Sequence, residues 1–168
     1  GAITDALDSE SLVPLAYRID LATGGDRDWT WLRLSAGLSP DAALPPTSEL
    51  PAGPGPRLER WLVEQAGIAI GHAGGLLRVT VPVAREVENG RAFAQRLFPL
   101  LERQRIPPSR ILFEVSEPVL LDAGLRGWEF VRQIDKIGSN VVLSECGGGW
   151  EAWQATEDLP ISYIKPDQ

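Results

Sequence analysis

Acidic and polar side chains recur where the chain's apolar segments end, and chemistry would sit there. Trp29 to Arg33, Thr80 and Pro82, Glu114 and Glu117, Ser144 to Cys146, and Lys165 to Asp167 each fall at the end of such a run. In parallel α/β folds the working residues lie at the C-terminal ends of strands. A divalent cation needs several oxygens converging on one point, and Glu114, Glu145 and Asp167 offer three. The same acids serve as well to cap neighbouring helices, where a carboxylate faces the positive end of the helix dipole. Arg33 offers a fork of donors to a phosphate, or a partner to a half-buried carboxylate. The run Gly147-Gly148-Gly149 offers backbone amides to an anion, or simply a turn.

Other chemistries fall away. Cys146 is the one cysteine, so an internal disulfide and a cysteine-based zinc site are excluded. His72 is the one histidine, which removes His-rich metal sites and most Ser-His-Asp arrangements. A Cys146–His72 nucleophile pair is not expected, because His72 closes a helix away from the strand ends. Sixteen basic residues against 23 acidic ones give a net charge of −7 and no basic face for nucleic acid. No apolar run approaches the roughly 18 residues that cross a bilayer, and no signal peptide opens the chain. A cytoplasmic location is expected. The leading Gly and the lack of Met suggest a segment of something longer.

The elements that must position these residues follow from periodicity. Residues 1–11 read as a polar, frayed lead-in to a domain over 12–168. Leu12 to Leu21 and Trp29 to Leu34 read as strands able to pair as a hairpin. Residues 36–56 carry six prolines and no period, which predicts a surface loop. Leu58, Trp61, Leu62, Gln65 and Ala66 fall at helical spacing over 56–70. A strand over 76–83, a helix over 91–104, a strand over 111–115 and a helix over 125–137 stopped by Gly138 come next. A strand over 140–143, a short helix over 150–155 and a strand over 161–165 complete the reading. Strands alternating with helices imply a parallel sheet, either doubly wound or part of a (β/α)-barrel. Neither GxGxxG after the first strand nor GxxxxGK[ST] is present.

The order of motifs resembles the EAL domain family, bacterial phosphodiesterases that cleave cyclic di-GMP on a TIM-like (β/α)-barrel. Phe113-Glu114-Val115-Ser116-Glu117 is similar to the family's ExxE strand end. Leu159-Pro160-Ile161-Ser162-Tyr163-Ile164-Lys165-Pro166-Asp167 is similar to its LPxxYIKxD ending. Ile137-Gly138 with Val141 to Trp150 stands in place of its DDFG segment. The resemblance runs from about Leu12 to Asp167 and implies six of the family's eight barrel strands.

It also implies where the chain departs. Active members hold two metal ions through the Glu of EAL, the Asn of NxS, the first Glu of ExxE and the paired Asp of DDFG. Aligned on Leu32-Arg33, these positions read Trp29-Thr30-Trp31, Thr80-Val81-Pro82, Glu114 and Ser144-Glu145, with Cys146 next. Lys165, which helps position water in the family, is kept. Two-metal hydrolysis needs both ions, so the resemblance with these losses implies a catalytically inactive domain that works by binding. Its expected ligand set is Arg33, Glu114, Glu145, Lys165 and Asp167, with vestigial metal positions Glu114 and Glu145. No cofactor is expected, and Mg²⁺ or Mn²⁺ would matter only to a residual phosphodiesterase. The partner is expected to be cyclic di-GMP, another protein or a second copy, with a slight lean to protein because Trp29 and Trp31 would crowd the pocket. Trp150 and Trp153 are candidates for an aromatic contact surface. A purely structural dimerisation module is the remaining alternative.

Overall fold

The structure, a computed structural model, describes residues 1–19, 30–50, 53–73, 77–147, 160–161 and 163–166, the last four as backbone. The strands are β1 (Val13–Arg18), β2 (Thr30–Ser39), β3 (Ala42–Ala43), β4 (Leu77–Pro82), β5 (Ile111–Ser116), β6 (Asn140–Cys146) and β7 (Tyr163–Pro166). They form one sheet in the order β1-β2-β4-β5-β6-β7, with β3 paired to β2. β1 and β2 make the expected antiparallel hairpin, β3 pairs antiparallel to β2, and every pairing along the main path from β2 to β7 is parallel. The fold is therefore α/β and parallel-dominated, with six strands along its main path.

The helices are α1 (Ala2–Asp8), α2 (Pro54–Ala73), α3 (Gly90–Gln104), α4 (Glu117–Ala123) and α5 (Leu125–Ile137). Leu58, Leu62, Ala66 and Ile70 line the buried stripe of α2, a spacing of three to four residues that a helix turns to one side. Gly138 ends α5 in the left-handed conformation at φ 97°, which glycine adopts without steric cost. α3 crosses α5 so closely that a Cβ on Gly90 would stand 2.5 Å from the Phe130 Cα.

Alternation along the strands sorts the side chains into two cores. The outer face, with Val79, Val81, Phe113, Val115, Val141 and Leu143, joins the helices in one large apolar cluster. There Phe93 meets Phe113 edge-on at 5.2 Å and Phe130 at 5.6 Å. The inner face holds a small separate cluster of Trp31, Leu112 and Val142, with Ile19 against it.

Three expectations are corrected. The opening residues are not frayed: α1 buries Ala6, packs Ile3 and Leu7 on the core, and is tied down by a 2.9 Å Arg57–Asp8 ion pair. Residues 36–56 are not one loop. β2 runs on through Ala36 to Ser39, β3 follows, Thr47–Glu49 makes a 3₁₀ turn, and α2 has begun by Pro54. Backbone pairing to β1 and β3 supplies what the local sequence lacks. Helix α4 was not foreseen. The Ser116 hydroxyl caps it by accepting from the Val119 amide at 3.4 Å, with Pro118 in the first turn. The helix expected over 150–155, and Trp150 and Trp153 with it, lies outside the described residues.

Candidate functional site

The register lays the inward residues in tiers. Parallel partners share a face, so Arg33, Thr80 and Leu112 make one tier, and Pro82, Glu114 and Val142 the next. Trp31 sits one tier below Arg33 on β2. Its indole N–H donates to the Thr80 hydroxyl at 2.7 Å, and the ring is buried in the inner cluster. Trp31 therefore fills part of the interior beside Thr80, Leu112 and Val142. Trp29 lies outside the described residues.

Above Trp31, Arg33 and Glu114 meet. Nε and Nη2 of Arg33 both donate to Oε2 of Glu114, at 3.1 and 3.0 Å. The carboxylate is nearly buried (8% exposed) and the guanidinium less so (29%). Arg33 thereby meets the reading in which it pairs with a carboxylate, and it also lines an open cavity of about 390 Å³. Tyr17, Arg33, Ser35 and Pro82 bring the strands to that cavity, Leu44 to Thr47 form its opposite wall, and Leu58 and Leu62 back it from α2. A pocket of this size, mostly apolar with one charged fork, suits part of a small ligand.

The rest of the expected set does not gather there. Glu145 is exposed while its neighbour Ser144 is buried, and it stands in the left-handed region at φ 55°. Lys165 lies on β7, beside β6, and nothing is described of its side chain. Asp167 lies outside the described residues. Glu117 is buried in the first turn of α4. It contacts Cys146, whose thiol is pushed up to about 11, first by burial and then by the charge of Glu117 and its hydrogen bond. Cys146 also donates to the Leu143 carbonyl at 3.7 Å. A thiol so held is protonated near neutrality and no nucleophile.

Metal donors can be tested against this geometry. One oxygen of Glu114 already takes both Arg33 donors, the Thr80 hydroxyl accepts from Trp31, and Pro82 has no side-chain donor. Among the described residues, no three His, Cys, Asp or Glu side chains converge as metal ligands. A guanidinium 3.0 Å from Glu114 also sets a positive charge where a cation would approach. The described residues do not fit a two-metal site.

Residues 31–168 match the EAL domain. The chain belongs to the EAL domain family. This EAL chain is 27% identical over 177 residues to "Cyclic di-GMP phosphodiesterase PA2567" of Pseudomonas aeruginosa, covering 99% of itself and 30% of that protein. It is 32% identical over 62 residues to "Cyclic di-GMP phosphodiesterase PdeB" of Shewanella oneidensis, covering 37% of itself and 7% of that protein. The chain thus spans under a third of the length of these curated relatives. In fold it is similar to the FimX EAL domain of Pseudomonas aeruginosa bound to c-di-GMP. The TM-score is 0.83 at 18% identity, covering 99% of this chain and 69% of that one. It is also similar to the Vibrio cholerae LapD S helix-GGDEF-EAL structure bound to c-di-GMP, at TM-score 0.77 and 10% identity, covering 98% and 41%. Among the described residues no helix is long and apolar enough to cross a membrane.

Two buried carboxylates, Glu59 and Glu86, escaped the sequence reading. Glu59 belongs to no motif and is fully buried on α2, and its spacing from Leu62, Val63 and Ala66 places it on the core face. That spacing was the available signal.

Proposed function

We propose that this EAL domain binds cyclic di-GMP without hydrolysing it, in the cytoplasm, as a signalling receptor that needs no metal. The observation that carries the reading is the Arg33–Glu114 ion pair. It occupies the one metal-ligand carboxylate that the sequence keeps unchanged, and its Arg33 lines an open cavity. Cyclic di-GMP carries two phosphodiesters, the charge such a fork holds well. The solved EAL structures of the same fold bound to c-di-GMP support this choice of ligand.

Calorimetric titration with cyclic di-GMP tests the reading, once in EDTA and once in Mg²⁺. The expected result is a dissociation constant of roughly micromolar or tighter, about 8 kcal/mol of binding, equal in both buffers. Arg33→Ala should weaken it at least tenfold. Absence of heat at millimolar ligand overturns the binding. Conversion to the linear dinucleotide in Mg²⁺ or Mn²⁺ overturns the non-catalytic part and makes the domain a residual phosphodiesterase.

A further inference from the structure

Behind the cavity wall lies a network that touches no part of the cavity. Burying a carboxylate is unfavourable unless its oxygens are bonded, and those of Glu59 are met by three successive backbone amides. Ala84 donates to Oε1, Arg85 donates to both oxygens at 2.9 and 3.0 Å, and Glu86 donates at 3.4 Å. These amides open the 3₁₀ turn Arg85–Asn89 just after β4. Glu59 thus holds in place the start of the β4–α3 connection. Glu86 in turn pairs with Arg96 of α3 at 2.6 Å.

Once its backbone is held, Arg85 reaches the opposite way. Its Nη2 donates to the carbonyl of Leu50 and, at 3.5 Å, to that of Ser48. Those carbonyls belong to the segment Thr47 to Leu50, whose first residue lines the cavity opposite Arg33. Gly55 lets the arm pass: a Cβ there would stand 2.9 Å from Arg85 Cγ, in the stem of the side chain where it has little room to swing.

We infer that Glu59 and Arg85 are positioning residues, a two-part strut that fixes the Thr47 wall of the Arg33 cavity and so sets its affinity from behind. The cavity's ligand rests on the proposed binding of cyclic di-GMP, while the strut itself rests on the contacts above. Hydrogen exchange in the ligand-free domain separates the two. The Glu49 and Leu50 amides report on the wall, since they donate to the Pro46 and Thr47 carbonyls at 2.9 and 3.1 Å. Arg85→Ala should speed their exchange about tenfold and leave the β5 amides unchanged. Glu59→Gln should also speed exchange at Ala84 to Glu86, and Gly55→Ala should reproduce the Arg85 effect with both polar groups intact. In calorimetry, Arg85→Ala should weaken cyclic di-GMP about fivefold although Arg33 is untouched. Unchanged exchange at Glu49 and Leu50 overturns the strut, as does acceleration spread evenly through β5, the mark of general destabilisation. Should wild-type protein fail to bind cyclic di-GMP, the ligand reading falls and the exchange pattern still decides the strut. Arg85→Ala and Gly55→Ala keep the test open if Glu59→Gln does not fold.

Discussion

The two faces of the sheet spend the same strands on different ends. Outward, Val79, Val81, Ile111, Phe113, Val115, Val141 and Leu143 disappear under helices into one continuous apolar core. Inward, the alternate positions carry Trp31, Arg33, Thr80, Glu114 and Ser144, with Trp31 bonded to Thr80 and Arg33 to Glu114, and an apolar cluster of three buried residues. Dispersion and water exclusion on the outer face are non-directional and large, whereas the inner contacts are few, geometric and individually worth little. The outer side holds the large packed core, and the inner side carries the directed polar contacts.

The sharpest way to break that division is to hollow the outer face. Phe113→Ala removes the ring that Phe93 meets edge-on and should cost about 3–5 kcal/mol, read by urea unfolding. A loss as small as that of an inner-face variant would end the distinction.

Next in size is a pH effect from the outer side. Burial pushes the Glu59 carboxyl from 4.5 up to about 7, against the pull of the Ala84, Arg85 and Glu86 amides, with the charge of Glu86 adding to the rise. A carboxyl raised in the folded state contributes stability that is complete below about pH 4.5 and lost as the pH rises through about 7. The loss should total about 3 kcal/mol. It is measured as the difference between wild type and Glu59→Gln at several pH values, because other carboxylates titrate alongside. A difference flat from pH 5 to pH 8 refutes it.

On the inner face, Glu114→Gln keeps the shape of the site and removes the charge facing Arg33. The pair is partly open to water, so the expected cost is only about 1 kcal/mol in the same unfolding experiment. A loss above that of Phe113→Ala would mean that the interior carries the fold. The smallest change is chemical. Cys146 should react with iodoacetamide at pH 8 about a hundredfold more slowly than an ordinary thiol, its pKa being raised from 9.0 to about 11. Glu117→Gln should recover part of that rate.

Much of the scaffold was legible because helical and strand periods are local signals. The α2 stripe, the α5 stop at Gly138 and the β1–β2 hairpin all followed from spacing and turn residues. The stretch from Ala36 to Ser39 did not, because its strand character comes from partners in β1 and β3 rather than from its own small residues and the prolines that follow. α4 was hidden inside a strand-end motif: Glu117 reads as the second acid of a pair, although Ser116 and Pro118 around it form a sound helix start. In the site, the two readings of Arg33 were both visible, and only geometry showed Glu114 as its partner. Trp31's depth was not legible, because composition reveals bulk but not position along the strand. Glu59 was missed because the amides that satisfy it lie some 25 positions away in the chain.

The separate inner cluster also bears on how such a domain changes over generations. Substitutions on the inner face draw little on the large outer core, so a lineage can exchange polar side chains there and still inherit the same shape. Once the chemistry is gone, selection can act on whatever that shape still grips, and drift on the rim explores new ligands at almost no risk to folding.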